Sequence, residues 1–401
     1  MKKFMKILLV SIIAFALVAC GAKEGENGGE TGQTYELSLW GSQDDQELLA
    51  ELVEAFKATD PDNTYNITLG VVGEPDARDK VLEDLDASAD VFAFPNDQIR
   101  ELVDAGALYE ITLNKSEITA ANQEGSIEAV TLDGAMYGIP FTADNGYFLY
   151  YDSNVFTAED VETLEGLAAK AAENGTKVFV PVSNSWYIAS FFLGAGNTIK
   201  YEDGKQIVDF NNETGVKVGE YIRELLKSPG VIAGLTDEEF MAGVADGSIS
   251  AGWSGTWTAT QFQEAYGDGY AATKLPTINL DGETTQLGSF GGYKVYGINS
   301  ATKHPEQAMA LAEFLSNESS QARRFELRNI GPSNLVVGAS DAVLADKALA
   351  ALAAQGVYAV SQKDVTGSYW GPAEAFGTEL VNGYSGDMQA LLDEMVSQIN
   401  Q

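Results

Sequence analysis

Cysteine and histidine are almost absent from this chain. Its 401 residues include one cysteine, Cys20, and one histidine, His304. A single cysteine excludes an internal disulfide, and the pair cannot supply a zinc cluster. The sequence also lacks a Gly-x-x-x-x-Gly-Lys phosphate loop and a calcium loop with correctly spaced aspartates. We therefore expect neither a metal ion nor a cofactor.

Basic residues are scarce as well. The chain carries 24 Lys and Arg against 59 Asp and Glu, a formal net charge of −35. Three of the lysines, Lys2, Lys3 and Lys6, lie in the first six positions, so the rest of the chain is more acidic still. Such a surface repels phosphate backbones, which argues against nucleic-acid binding.

Long apolar runs are limited to the N-terminus, where residues 7–19 follow the three lysines. This run is shorter than the roughly 20 residues of a membrane-spanning helix. The pattern is typical of a secretory signal over residues 1–19. The sequence LVAC that closes it resembles the lipobox of bacterial lipoproteins, in which the signal is cut before the cysteine and the cysteine is acylated. Ordinary cleavage nearby, with Cys20 discarded or left free, is the alternative.

Residues 20–33 are rich in Gly and Glu and have no apolar periodicity, which predicts a flexible tether. After it, strand and helix patterns alternate, which predicts a mostly parallel α/β sheet. Thr236 and Glu239 have the spacing of a capping box. The predicted strands are YELSLW, NITLGVV, DVFAF and TKVFVPV, and the predicted helices cover 48–56, 80–89, 97–106, 212–227, 306–316, 320–329, 341–354 and 387–399.

A chain long enough for two globular units has no linker in its interior. This suggests that the polypeptide passes between two lobes more than once. A ligand would then lie between the lobes.

Four segments together resemble the carbohydrate-specific, maltose-binding group of extracellular solute-binding proteins of ABC importers. They are LSLWGSQDDQELLAELVEAFKATDP, ADVFAFPNDQIRELVDAGALYEI, TLDGAMYGIPFTADNGYFLYYDSNVF and YGINSATKHPEQAMALAEFLSN. None is highly specific alone, but their order is. The resemblance implies a two-lobed, periplasmic-binding-protein-like α/β fold with a ligand cleft and several hinge crossovers, closing on a sugar by hinge bending. It implies lobe one at 34–143 plus 296–337 and lobe two at 147–293 plus 341–401.

The resemblance also implies the binding residues. Sugars need hydrogen-bonding groups for their hydroxyls and aromatic rings for their C–H faces. The expected ligand-binding residues are Trp40, Asp44, Asn96, Asp97, Asp144, Trp186, Tyr187, Trp257, Tyr369 and Trp370.

Several of these residues have a simpler alternative role. Trp40 could be a core aromatic at a strand end, Asp44 a first-turn acid that stabilises a helix dipole, and Asn96 a helix cap. Asp144 could lie in a solvated turn, and either Tyr369 or Trp370 could face the sugar. Gln98 stands where some maltose binders have Arg, which puts the exact sugar in doubt.

Two tryptophans lie four residues apart in SAGWSGTWTATQ, among residues too small to bury a large ring. The resemblance places Trp253 at the end of a strand. Packing in the protein core is at least as expected for it there as contact with a ligand. Trp257 follows the turn into a helix and is expected to face the cleft.

The N-terminal pattern predicts an exported, lipid-anchored protein. The resemblance implies a monomeric binding protein that captures oligosaccharides, above all maltose or maltodextrin, and delivers them to an ABC permease. It is not expected to be an enzyme. A glycosidase remains an alternative from another class, since two carboxylates suffice for glycoside hydrolysis. A binding protein for another oligosaccharide, or for a cation such as a polyamine held by acids and aromatic rings, is a second alternative.

Overall fold

The computed structural model describes residues 32–202 and 204–400. The predicted signal segment, Cys20 and nearly all of the tether lie outside the described residues. Within the described part, no helix combines the length and the apolar character needed to cross a membrane.

Helices and strands alternate through most of the chain. The α-helices are α1 Gln46–Lys57, α2 Ala77–Glu83, α3 Ile99–Asp104, α4 Lys115–Ala121, α5 Glu124–Ala129, α6 Leu164–Asn174, α7 Ser185–Gly194, α8 Glu213–Leu225, α9 Asp237–Ala245, α10 Ala259–Tyr266, α11 Pro305–Ser316, α12 Glu318–Arg328, α13 Leu335–Gly338, α14 Asp341–Leu344, α15 Lys347–Gly356, α16 Gly367–Val381 and α17 Met388–Ile399. The strands are β1 Thr34–Gly41, β2 Thr64–Val71, β3 Val91–Pro95, β4 Thr131–Leu132, β5 Ala135–Met136, β6 Ile139–Pro140, β7 Asn145–Gly146, β8 Phe148–Asp152, β9 Lys177–Val180, β10 Ile199–Glu202, β11 Lys205–Val208, β12 Val231–Ala233, β13 Ile249–Ser254, β14 Tyr270–Thr273, β15 Thr277–Leu280, β16 Glu283–Gln286, β17 Ser289–Gly292, β18 Lys294–Ile298 and β19 Ala359–Ser361.

The first lobe is built on a five-stranded sheet with the order β2-β1-β3-β18-β6. β1 lies parallel to β2 and β3, whereas β18 is antiparallel to β3 and β6. Its apolar core combines residues from 37–141 with residues from 295–315. One lobe is therefore assembled from two distant parts of the chain.

The second lobe has a five-stranded sheet with the order β12-β9-β13-β8-β14. Successive residues of β8 point to opposite faces, so that Leu149 and Tyr151 enter one apolar cluster and Phe148 and Tyr150 enter another. Helices α16 and α17 close the larger cluster with Phe376, Leu392 and other apolar residues. A sheet covered on both faces explains why β13 is buried along its whole length.

A third sheet, with the order β19-β17-β7, lies where the chain passes between the lobes. β7 follows lobe-one strand β6 and precedes lobe-two strand β8, while β17 precedes lobe-one strand β18. β19 runs parallel to β17 and follows helix α15, whose Ala348 packs in a lobe-two cluster. Two crossing strands, β7 and β17, and the lobe-two strand β19 therefore meet in one small sheet.

The structure confirms the α/β class and the capping box, in which Thr236 and Glu239 bond reciprocally at the start of α9. The expectation of mostly parallel sheets is confirmed, since four of the five strands in each large sheet run in the same direction. The exceptions are β18 in lobe one and β8 in lobe two, each of which pairs antiparallel with both of its neighbours. Strands next to a lobe crossing need not follow a β-α-β turn, so they are free to run the other way.

Two helix predictions are corrected by the structure. The helix predicted over 80–89 ends at Glu83, since Asp84 is extended and its carboxylate accepts a hydrogen bond from the Ala87 N–H at 3.1 Å. The helix predicted over 341–354 is split into α14 and α15. Asp346 causes the break, because its side chain caps α15 through the Leu349 N–H at 2.8 Å.

Candidate functional site

A cleft of about 750 Å³ lies between the two lobes and is lined by residues of both. This volume falls within the range of small-molecule sites and suits a ligand of several rings. Lobe one contributes carboxylates and arginines, and lobe two contributes most of the aromatic rings. The cleft is therefore the candidate functional site.

Three half-buried tryptophans form the lobe-two wall: Trp186, Trp257 and Trp370. Trp186 lies in the first turn of α7, where Asn184 caps the helix by accepting from the Trp186 N–H at 3.0 Å. Trp257 lies in a 3-10 turn that follows β13, with its ring centroid 5.8 Å from that of Trp186. Because neither ring is fully buried, both present apolar surface to the cleft.

Asp237 holds the Trp257 ring in place. Its carboxylate accepts the Trp257 indole N–H at 2.7 Å and the Ser254 hydroxyl at 2.7 Å, with the Tyr187 hydroxyl at 3.3 Å. Burial raises the pKa of Asp237 in spite of these hydrogen bonds, which act to lower it. As the first residue of α9, Asp237 is fixed by the capping box that precedes it.

A buried ion pair lies on the lobe-one side. The Arg324 guanidinium pairs with the Asp45 carboxylate and donates to the Tyr296 hydroxyl at 2.9 Å, while Arg328 Nε lies 3.7 Å from Asp45. Burial acts to raise the pKa of Asp45, but the two guanidinium groups outweigh it and hold that pKa below its ordinary value. Exposed Asp44 lies 3.5 Å from Arg328. These arginines are therefore already neutralised.

Gln362 connects the two walls of the cleft. It donates to the Asp97 carboxylate at 2.7 Å and accepts the Trp186 indole N–H at 3.1 Å. Lys294, at the start of β18, lies with its ammonium 5.4 Å from the centre of the Trp257 ring. Burial raises the pKa of Asp97 to about 7. The bridge and the cation–π contact join lobe-one groups to lobe-two rings.

The cleft brings together six of the ten residues expected to bind ligand. These are Asp44, Asp97, Trp186, Tyr187, Trp257 and Trp370. Tyr187 is largely buried and packs at 5.1 Å from Trp186, so it supports that ring as well as facing the cleft. Trp370 lies in the first turn of α16.

Four expected residues lie outside the cleft lining: Trp40, Asn96, Asp144 and Tyr369. Trp40 packs its ring against Gly70 of the neighbouring strand β2. Asn96 is fully buried and accepts the Tyr293 N–H at 2.8 Å. Their side chains are engaged by the protein itself.

The other two make internal bonds as well. Asp144 is buried, not in a solvated turn, and accepts from the Gly331 N–H at 2.8 Å and from the Thr256 hydroxyl. Tyr369 is fully buried and donates its hydroxyl proton to the Ser185 carbonyl at 3.0 Å. Of the Tyr369 and Trp370 pair, Trp370 faces the cleft.

The sequence reasoning missed most of the polar residues that line the cleft. Six of them supply its cations, the anchor of Trp257 and the bridge to Asp97: Arg78, Asp237, Lys294, Arg324, Arg328 and Gln362. Only Asp237 carries a local signal, because it follows the Thr236 cap of a predicted helix. The other five come from segments in which nothing nearby indicates a ligand. Tertiary packing alone brings them to the cleft.

The arrangement offers stacking surfaces and hydrogen-bond acceptors. Eight carboxylates line the cleft against four cationic side chains. In the part of the chain that the structure describes, no group of three or more His, Cys, Asp or Glu is placed to hold a metal ion. What the cleft can do chemically is bind a ligand that has both apolar faces and hydroxyl groups.

Comparison with known proteins finds relatives and solved structures that are similar to this chain over most of its length. The galactooligosaccharide-binding protein of Bacillus subtilis (strain 168) is 27% identical over 412 residues, covering 97% of this chain and 95% of that protein. A solved structure with acarbose is 32% identical with a TM-score of 0.85, covering 92% of this chain and 99% of the other. The ligand-free maltodextrin-binding protein MalE1 from L. casei BL23 shares the fold, with a TM-score of 0.78, 23% identity, and coverage of 92% and 99%.

The sequence model for the bacterial extracellular solute-binding proteins matches residues 51–351, about three quarters of the chain. Together with the two α/β lobes and the cleft between them, this match shows that the chain belongs to the bacterial extracellular solute-binding protein family.

Proposed function

We propose that this protein captures oligosaccharides, above all maltose or maltodextrin, and delivers them to an ABC permease by closing its lobes. The observation that carries the proposal is the wall of Trp186, Trp257 and Trp370 on lobe two facing carboxylates on lobe one. Sugar rings stack on aromatic faces, and their hydroxyls bond to carboxylates. Relatives described with acarbose or as binding galactooligosaccharides support the same ligand class.

The ten residues expected from the sequence divide within this proposal. Asp44, Asp97, Trp186, Trp257 and Trp370 contact sugar directly, and Tyr187 supports the Trp186 ring. The other four residues lie outside the cleft lining and support it from within the protein: Trp40, Asn96, Asp144 and Tyr369. The lobe boundaries proposed are 34–143 plus 296–337 and 147–293 plus 341–401. They agree with a first core drawn from 37–141 and 295–315.

The experiment is isothermal titration calorimetry of the purified protein with maltotriose and with a β-linked galactotriose. Binding of either at one sugar per protein supports the proposal, and the tighter one identifies the sugar class. Absence of binding to both, together with a negative glycan array, would refute it.

Two alternatives are tested in the same preparation. Accumulation of reducing ends during incubation with maltotriose would indicate a glycosidase, whereas recovery of the intact sugar supports binding. Spermidine that competes with maltotriose for tryptophan quenching would indicate a cationic ligand. Lys294 already lies over Trp257, which disfavours a second cation at that ring.

The protein is proposed to act as a monomer on the outer face of the cytoplasmic membrane, anchored through acylated Cys20. More than one acyl chain gives stable anchoring. Cys20→Ala should therefore release the protein from membranes in fractionation, and a variant that still pellets with membranes would contradict the anchor.

A further inference from the structure

Helix α16 carries Trp370 into the cleft, yet its first N–H is capped from the other lobe. The first N–H groups of a helix have no partner within it, and the preceding side chain usually accepts one of them. Here Thr366 precedes the helix, but its hydroxyl bonds with the Ser368 hydroxyl at 3.0 Å and caps nothing. The Gly367 N–H instead donates to the Glu101 carboxylate of α3 at 2.6 Å.

The Glu101 carboxylate is held on its lobe-one side. Its second oxygen lies 3.1 Å from the Arg78 guanidinium, which also pairs with Asp79 at 2.8 Å. The Arg78 backbone N–H donates to Gln98 at 3.0 Å, which fixes the segment that carries the arginine. Glu101 therefore points to α16 from a rigid support.

A side chain at position 367 would crowd this close approach. A Cβ atom there would lie 2.8 Å from the Arg78 guanidinium and 3.2 Å from the Glu101 carboxylate. The preceding residue of α3, Arg100, also reaches across, with its guanidinium 4.4 Å from the Tyr201 ring centre. One face of α3 is thus built against lobe two, and the cap is part of that contact.

We propose that Glu101 is a positioning residue for the cleft: it caps α16 from lobe one and thereby sets where Trp370 stands opposite the lobe-one carboxylates. The effect on ligand binding rests on the proposed sugar-binding function. Trp370 lies one helical turn from Gly367, so loosening of the first turn moves its ring directly. A carboxylate at a helix N-terminus is also favoured by the helix dipole.

The test compares Glu101→Ala with Asp104→Ala, which removes the same charge from an exposed position on the same helix. Maltotriose affinity should fall roughly fivefold in Glu101→Ala, the scale of one lost helix cap, and stay unchanged in Asp104→Ala. Glu101→Gln keeps an acceptor oxygen and should lose less. Gly367→Ala should reproduce the loss from the other lobe, and the double variant should lose little more than either single one.

A second readout needs no sugar. With 5-fluorotryptophan incorporated, the ¹⁹F resonance that disappears in Trp370→Phe identifies Trp370. It should shift in Glu101→Ala and Gly367→Ala, and it should not shift in Asp104→Ala. An unshifted Trp370 resonance in folded Glu101→Ala would overturn the positioning role. If wild-type protein fails to bind maltotriose while the resonance shifts as expected, the proposed function fails and the positioning role stands.

Discussion

Trp253 and Trp257 are close in sequence but lie in different environments. Trp253 is in β13, is fully buried, and packs with its ring centre 5.3 Å from that of Phe191. Trp257 is half-buried at the cleft and is held by Asp237. The turn between them contains Gly255, where a Cβ would lie 2.1 Å from the Trp257 ring, so only glycine lets the ring pack against the backbone there.

The two tryptophans should respond differently to truncation. Trp257→Ala should lower maltotriose affinity by at least tenfold, since it removes a stacking face, and it should change the free energy of unfolding little. Trp253→Ala should cost about 3–5 kcal/mol of unfolding free energy because it empties a core position. Calorimetry and urea unfolding measure the two quantities.

Trp253→Phe is the matched control. The Trp253 indole nitrogen is buried with no hydrogen-bond partner among the described residues, so phenylalanine removes a buried polar group while keeping a smaller aromatic ring in the core. This variant should fold and bind sugar normally. Equal losses of affinity from Trp253→Phe and Trp257→Ala would contradict the division of roles.

Asp97 should make stability depend on pH. Burial raises the pKa of Asp97 in the folded protein to about 7, whereas its ordinary value is 3.8. Between these values the folded protein binds more protons than the unfolded chain, so the free energy of unfolding should fall as pH rises through this window. Above about pH 7 the loss is complete.

Asp97→Asn isolates this contribution, because other carboxylates in this acidic chain also titrate below pH 7. Urea unfolding of both proteins at several pH values from 5 to 8 should give a steeper fall for wild type than for the variant. Parallel pH profiles would show that Asp97 is ionised throughout.

At the scale of elements, Asp144 ties the first crossing segment to both lobes. This residue precedes β7, and its carboxylate accepts from Gly331 of one lobe and from Thr256 of the other. The Ala143 N–H also donates to the Gly331 carbonyl at 2.9 Å. A single buried carboxylate thus joins both lobes at their junction.

Asp144→Ala should therefore lower the free energy of unfolding, with a smaller effect on sugar affinity than Trp257→Ala. It leaves the Gly331 N–H and the Thr256 hydroxyl without their acceptor, which should cost about 1–3 kcal/mol of unfolding free energy. Urea unfolding measures this. A loss of sugar affinity as large as that of Trp257→Ala, with unchanged stability, would instead place Asp144 in contact with the ligand.

The sequence predicted elements well where periodicity was long and less well where a polar side chain interrupts it. The apolar pattern continues through 341–354, but Asp346 caps a new helix within it. Local patterns predicted several strands and the common direction of most of them, but not the reversed direction of β8 and β18. Direction depends on where the chain crosses between lobes, which local patterns do not encode.

At the scale of the molecule, the site was only partly predictable, because local sequence patterns do not encode how the two lobes meet. Tryptophans and acids at strand ends and helix starts carry a local signal, and the resemblance to sugar binders placed them. Lys294, Arg324 and Gln362 reach the cleft from segments far apart in sequence. Their role depends on two lobes meeting, and no local pattern describes that meeting.

The lobes should close when sugar binds. Asp97 on lobe one and Trp186 and Trp257 on lobe two lie on opposite walls, so a sugar contacts all three best when the walls are near each other. A ligand shifts a conformational equilibrium by its differential affinity for the two states. Small-angle X-ray scattering should therefore show a smaller radius of gyration at saturating maltotriose than without sugar. Trp257→Ala, at the same sugar concentration, should show no such decrease because its cleft stays largely empty. An unchanged radius for wild-type protein that calorimetry shows to be saturated would exclude hinge closure as the response to this ligand.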